Sequence, residues 1–181
     1  MGWPTPKESA GGDFIKLQVG ENRIRVVQEP VERGEMHFSN KQSFPCTGQG
    51  CQYCASAVPD IKKCSNKYLF SVIDRVSGSL SLLETGAMIY GKLFELSQSS
   101  DWGFDSVPHF DMVIVKSGAG LETRYEVNPC PATELSEEDK KAIAELPNLM
   151  ELVEKLNNPS ETVADDNQPP IGNFDKPQGG Y

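Results

Sequence analysis

Polar and apolar residues alternate from Asn22 to Val27, which puts Ile24 and Val26 on one face of a strand and Arg23 and Arg25 on the other. Residues 13–29 are predicted to be extended, with Gly20-Glu21-Asn22 as the turn before that strand, and a short second strand is predicted to end near His37. The fullest strand pattern runs from Lys62 to Arg75. Tyr68, Phe70 and Val72 share one of its faces, and Leu69, Ser71 and Ile73 the other. Ser77-Gly78 reads as a hairpin turn and Leu80–Leu83 as the return strand. From Glu84 to Ser97 the period becomes helical, with Ile89, Leu93 and Leu96 on one stripe. Asp111–Lys116 and Glu122–Asn128 flank Ser117–Gly120 as a β-hairpin that Pro129 and Pro131 should end. Ser136-Glu137-Glu138-Asp139 opens a helix in the manner of a capping box, Pro147 interrupts it, and Leu149–Leu156 forms another.

Strand, strand, insertion, strand pair, helix and hairpin, in that order, predict a mainly β fold with added helices (β+α). The expected architecture is an OB-type Greek-key barrel with a zinc-binding insertion and C-terminal helices. The predicted organisation is a flexible leader over 1–12, the barrel over 13–132 with its insertion at about 37–60, acidic helices over 133–156, and a disordered Pro-, Gly- and Asp-rich tail over 157–181.

Composition changes this picture in two ways. The 181 residues are 38% hydrophobic, enough for one core, and contain no run approaching the ~20 apolar residues of a membrane span. The formal net charge is −9, but it is uneven: residues 14–76 sum to +3 and residues 133–181 to −7. A mildly basic body with an acidic arm suits a groove for which arm and nucleic acid compete; it also suits helices that are acidic for solubility alone.

The candidate chemistry is concentrated between His37 and Cys54, which holds three of the five cysteines and one of the two histidines. Cys51 and Cys54 are spaced to point two thiolates at one ion, and Cys46 and His37 precede them. Three thiolates and an imidazole match the tetrahedral preference of one structural Zn²⁺. Cys64 is the rival fourth ligand, with His109 behind it. The Cys46, Cys51, Cys54 spacing also fits an iron–sulfur centre completed by Cys64 or Cys130. The chain opens without a basic and apolar signal segment, so reduced thiols and a cytoplasmic setting (host cytoplasm if phage-encoded) are expected rather than disulfides.

Lysines beside aromatics at period two suit a platform on which unpaired bases stack while cations hold phosphates. On that reading Arg23, Arg25, Lys62, Lys63, Lys67 and Arg124 meet phosphates, and Tyr68, Phe70 or Trp102 stack on bases. The same residues also read plainly, the arginines as a solvated strand face and Tyr68 and Phe70 as core. Gly86–Leu93 resembles a phosphate-binding loop but puts Leu93 where a hydroxyl would bind magnesium, and catalytic serine, metalloprotease and paired-carboxylate motifs are missing. Binding rather than catalysis is expected. A zinc-stabilised module docking on a polymerase or transcription complex is the alternative.

Taken together, Phe14–Arg25, His37 with Cys46, Cys51 and Cys54, the Lys67–Asp74 strand, Asp101-Trp102-Gly103 and Asp111–Tyr125 resemble the bacteriophage single-stranded DNA-binding proteins that carry a zinc-containing OB fold. The likeness spans about residues 13–156, and the His/Cys cluster is its most specific part. It implies coating of unpaired DNA in phage replication, recombination or repair, with replication, recombination or transcription proteins as further partners.

Overall fold

The computed structural model describes residues 14–39, 42–55 and 62–158. Its strands are β1 (Gly20–Val26), β2 (Val31–Ser39), β3 (Gln42–Pro45), β4 (Lys62–Asp74), β5 (Leu80–Gly86), β6 (Phe110–Ser117) and β7 (Arg124–Ala132). The helices are α1 (Gln52–Ala55), α2 (Ala87–Ser97), α3 (Glu137–Ala144) and α4 (Leu149–Asn157). All seven strands join one sheet, ordered β3-β2-β4-β1-β6-β7, with β5 also pairing β4. Every strand pair is antiparallel. The fold is therefore mainly β with a few helices. Among the described residues no ladder joins β7 to β3 or β5, so the sheet is open. The expected leader over 1–12 and the tail beyond Asn158 lie outside the described residues.

The long strand β4 organises the rest, because its alternation gives it two apolar faces. On one face Phe70 and Val72 pack with Ile24, Val26, Met112 and Ile114, beneath Ile89 and Leu93 of α2. On the other, Leu69 and Leu82 pack against Leu149, Leu152 and Val153 of α4. α4 thus covers a sheet face, whereas α3 buries no residue. Ser136 caps α3 by accepting from the Asp139 backbone N–H at 3.1 Å, and Asn148 caps α4 by accepting from that of Met150 at 2.8 Å.

Several boundaries differ from the sequence pattern; the strand expected from Glu122 begins at Arg124, after a 3-10 turn over Gly120–Glu122. The helix expected from Glu84 begins at Ala87, because Glu84 and Thr85 continue β5 opposite Leu69 and Tyr68. The second strand is nine residues long and passes Gly34 through a bulge at φ +97°, a conformation that favours glycine. β7 runs through Pro129 and Pro131 to Ala132, since it ends the sheet and its outer N–H groups need no partner.

Candidate metal centre and nucleic-acid interface

His37 and the cysteines converge because β2, β3 and α1 fold back on one another. His37 on β2 lies opposite Phe44 on β3, and the Cys46 N–H donates to the Glu35 carbonyl at 2.8 Å. The chain then turns through Gly48 and Gly50, both at positive φ, and the Cys51 N–H donates to the Gly48 carbonyl. The single turn of α1 sets Cys54 beside Cys51. Phe44 stacks on the His37 ring at 5.5 Å between centroids, Tyr53 meets it edge-on at 5.7 Å, and His37 is fully buried.

The ligand atoms of His37, Cys46, Cys51 and Cys54 all lie within 4.8 Å of one another. His37 Nε2 is 3.4 Å from Cys51 Sγ and 3.5 Å from Cys54 Sγ, and Cys46 Sγ is 3.5 Å from Cys54 Sγ. A tetrahedral ion with metal–sulfur bonds of about 2.3 Å and a metal–nitrogen bond of about 2.0 Å has edges of roughly 3.5–3.8 Å, so this donor set fits one four-coordinate Zn²⁺. The electrostatics agree. Hydrogen bonding from Thr47, aided by His37, lowers the Cys51 thiol to about 5. Crowding by Cys46 and Cys64, with burial, pushes Cys54 up to about 12. Such mutual penalties among thiolates are relieved by a cation between them.

Cys64 lies just outside this set. Its Sγ is 3.6 Å from Cys54 Sγ, and it belongs to a neighbouring group with Glu35 and Cys46. The four donor atoms that lie within 4.8 Å of one another therefore include that of His37 and not that of Cys64. Neither His109 nor Cys130 belongs to a metal-competent group among the described residues.

The predicted nucleic-acid contacts are dispersed, and two need correcting. Arg25 was expected on an exposed strand face, but it is 3% exposed. Its guanidinium donates to Asp111 Oδ1 at 3.3 Å and to the Thr133 carbonyl at 2.9 Å, and burial lowers its pKa. Phe70 was expected as a stacking surface, but at 2% exposure it is core. Arg23 also binds Asp111, at 3.0 Å, with its side chain half exposed. β1 register puts Arg25 opposite Ile73 and Ile24 with the Phe70 cluster, so the arginines and the aromatics occupy opposite faces of the sheet. Lys63 and Arg124 are exposed and Lys67 is half-buried; the backbone of Lys62 begins β4, and its side chain lies outside the description. Trp102 is half-buried and packs edge-on against Phe110 at 5.3 Å.

No family model, no curated protein and no solved structure matches the chain. The site must therefore be read from its own geometry.

That geometry contains an aromatic cleft that the sequence reading passed over. Tyr68 stacks face to face on Tyr90 of α2, with ring centroids 3.7 Å apart and planes 5° apart. Beside this pair a cleft of about 200 Å³ is lined by Tyr90, Phe94, Phe104, Phe70 and Pro108, with Glu29 and Asp105 also lining it. Phe94 is 56% exposed. The signal was present: Tyr90 and Phe94 are four apart on α2 and so share a face. It was obscured because Tyr90 fell within the rejected phosphate-loop pattern.

Proposed function

We propose that this protein binds single-stranded DNA, with bases entering the cleft between α2 and the 104–108 loop, and that its His/Cys cluster holds one structural Zn²⁺. The observation that carries the reading is the cleft itself: Phe94 lies open beside a stacked tyrosine pair, and exposed aromatics suit bases whose π-faces are unpaired. β4 links the two features, running from Cys64 at the metal group past Lys67 and Tyr68 to Phe70 in the cleft wall, about 20 Å of extended chain. Zinc there would supply folding energy to the β3–α1 lobe through His37, Cys46, Cys51 and Cys54, not chemistry. The antiparallel order, with β4 pairing β1, β2 and β5, supports an OB-like ancestry for the sheet. A role in phage replication, recombination or repair rests on the sequence likeness alone.

The test is fluorescence anisotropy on a labelled oligothymidine, using protein assayed for metal. With Lys63, Lys67 and Arg124 as phosphate contacts, raising salt from about 50 to about 300 mM weakens binding about 40-fold. Salt-independent binding refutes the phosphate contacts, and no binding by folded, zinc-loaded protein refutes the function.

A second reading has its own observation. Glu29 and Asp105 line the cleft, and among the described residues no lysine or arginine does. An apolar groove with acidic flanks also suits a basic, apolar segment of a replication or transcription protein. Lys63→Glu with Lys67→Glu separates the two, because it weakens DNA binding and flattens its salt dependence but leaves capture of such a segment intact.

A further inference from the structure

The metal group has a protected side and an open side. His37 and Cys51 are buried, whereas Cys54 is exposed and Cys46 is partly so. Cys64, a thiol beyond the four best-placed ligands, meets the open side at 3.6 Å from Cys54 Sγ. Structural zinc sites need four ligands, and nothing in the geometry of this one uses a fifth thiol. Resting on the zinc reading above, we infer that Cys54 and Cys64 form a peroxide-responsive thiol pair whose oxidation releases the metal.

The reaction balances with a hydroperoxide as the oxidant. Hydrogen peroxide oxidises the Cys64 sulfur to a sulfenic acid; the O–O bond breaks and one water leaves. The Cys54 thiolate then attacks the Cys64 sulfur; the S–S bond forms, the S–O bond breaks, and the expelled hydroxide takes a proton from solvent to become a second water. The two sulfurs lose two electrons, which peroxide takes up together with the proton of the Cys64 thiol and one proton from solvent. The sulfurs close from 3.6 Å to about 2.05 Å, a small movement for two side chains on the open side of the lobe. Once bonded to Cys64, Cys54 is no longer a thiolate ligand, and His37, Cys46 and Cys51 hold the ion with three donors. A thiol reductant reverses the change.

The test treats zinc-loaded full-length protein with hydrogen peroxide and follows zinc with a colorimetric chelator. Digestion after Lys63 and after Tyr53 isolates Cys64 and Cys54 on separate peptides for mass spectrometry. Wild type is expected to release zinc as the Cys54–Cys64 cross-link appears and to rebind it after reduction. Cys64→Ser is expected to keep its zinc and to release it at least about tenfold more slowly. Release from Cys64→Ser at the wild-type rate, or a Cys46–Cys54 bond in place of the Cys54–Cys64 bond, overturns the inference. The two readings fail separately. Protein that binds no zinc but forms the Cys54–Cys64 bond overturns the metal centre and keeps the thiol pair; zinc-loaded protein that never forms the bond overturns the thiol pair alone.

Discussion

Phe94→Ala separates the aromatic cleft from the fold that carries it. Phe94 lies on α2 with more than half of its surface in solvent, and it is not among the residues buried against the sheet. Its truncation is expected to change folding stability by no more than about 0.5 kcal/mol, as for other exposed positions. If a base stacks there, the same truncation removes about 1–3 kcal/mol of binding, or roughly 5- to 150-fold in Kd. The effect is apolar, so the dependence of affinity on salt should keep the wild-type slope while the whole curve shifts to weaker binding. The assay is anisotropy titration of oligothymidine at several salt concentrations, with urea unfolding of the same protein as the control. Tyr90→Ala is a poorer probe, because Tyr90 stacks on Tyr68 at 3.7 Å and lies near Phe70, so its loss also disturbs packing. A Phe94→Ala protein that unfolds as wild type does and binds within twofold of it would refute base stacking in the cleft.

Three further outcomes are expected. Cys51→Ser removes a buried ligand and should bring zinc content from about one per chain to near zero by atomic absorption, whereas Cys64→Ser should leave it unchanged. Asp111→Asn leaves Arg25 and Arg75 without their shared buried carboxylate and should cost about 3–5 kcal/mol in urea unfolding; a loss under 1 kcal/mol, about the worth of a surface pair, would refute the buried network. Acid should destabilise the protein through two depressed carboxyls. The Val76 N–H, with Ser77, holds Asp74 down against burial, and for Asp139 the bonds from Arg75 and Ser136 outweigh burial. A folded pKa below the unfolded value gives stability that is present above the unfolded pKa of about 3.9 and lost as pH falls through the folded one. The Tm of Asp139→Asn should therefore fall less than that of wild type between neutral pH and about pH 3.

Much of the sheet was legible because alternation is a local property. The Lys62–Arg75 pattern gave β4 and both of its faces, and the turn residues Ser77-Gly78 and Ser117–Gly120 gave two hairpins. The Cys51 and Cys54 spacing was legible for a similar reason, since a two-residue gap after a glycine turn sets thiols side by side, while His37 and Cys46 are brought to them by the pairing of β2 with β3. What escaped the sequence depends on neighbours. Whether Phe70 faces solvent or α2 cannot be read from β4, because both of its faces are apolar. Whether Arg25 is a solvated cation or a buried one depends on Asp111, 86 residues away. The start of α2 was misplaced because Glu84 suits a helix but is held, with the β-branched Thr85, in β5 by pairing across to Leu69 and Tyr68.

The fate of the arginines decides how the basic segment should be understood. Residues 14–76 sum to +3, but Arg23, Arg25 and Arg75 all converge on Asp111, and Arg33 pairs with Glu84 and bonds Asn157 at the end of α4. Guanidinium suits these places, since it is always charged, loses less on desolvation than ammonium and bonds a carboxylate with two arms. Arg75 also binds Asp139 of α3, so the same cations that make the segment basic fasten the acidic C-terminal helices to the sheet. Four arginines of the basic segment, Arg23, Arg25, Arg33 and Arg75, are therefore paired with carboxylates inside the fold. Of the cations predicted to meet phosphate, Arg23, Lys63 and Arg124 are the exposed ones among those described, and Arg23 is tied to Asp111. If single-stranded DNA binds here with only these cations as phosphate contacts, it takes more of its affinity from stacking, so truncating Phe94 should weaken binding more than reversing any single one of those charges.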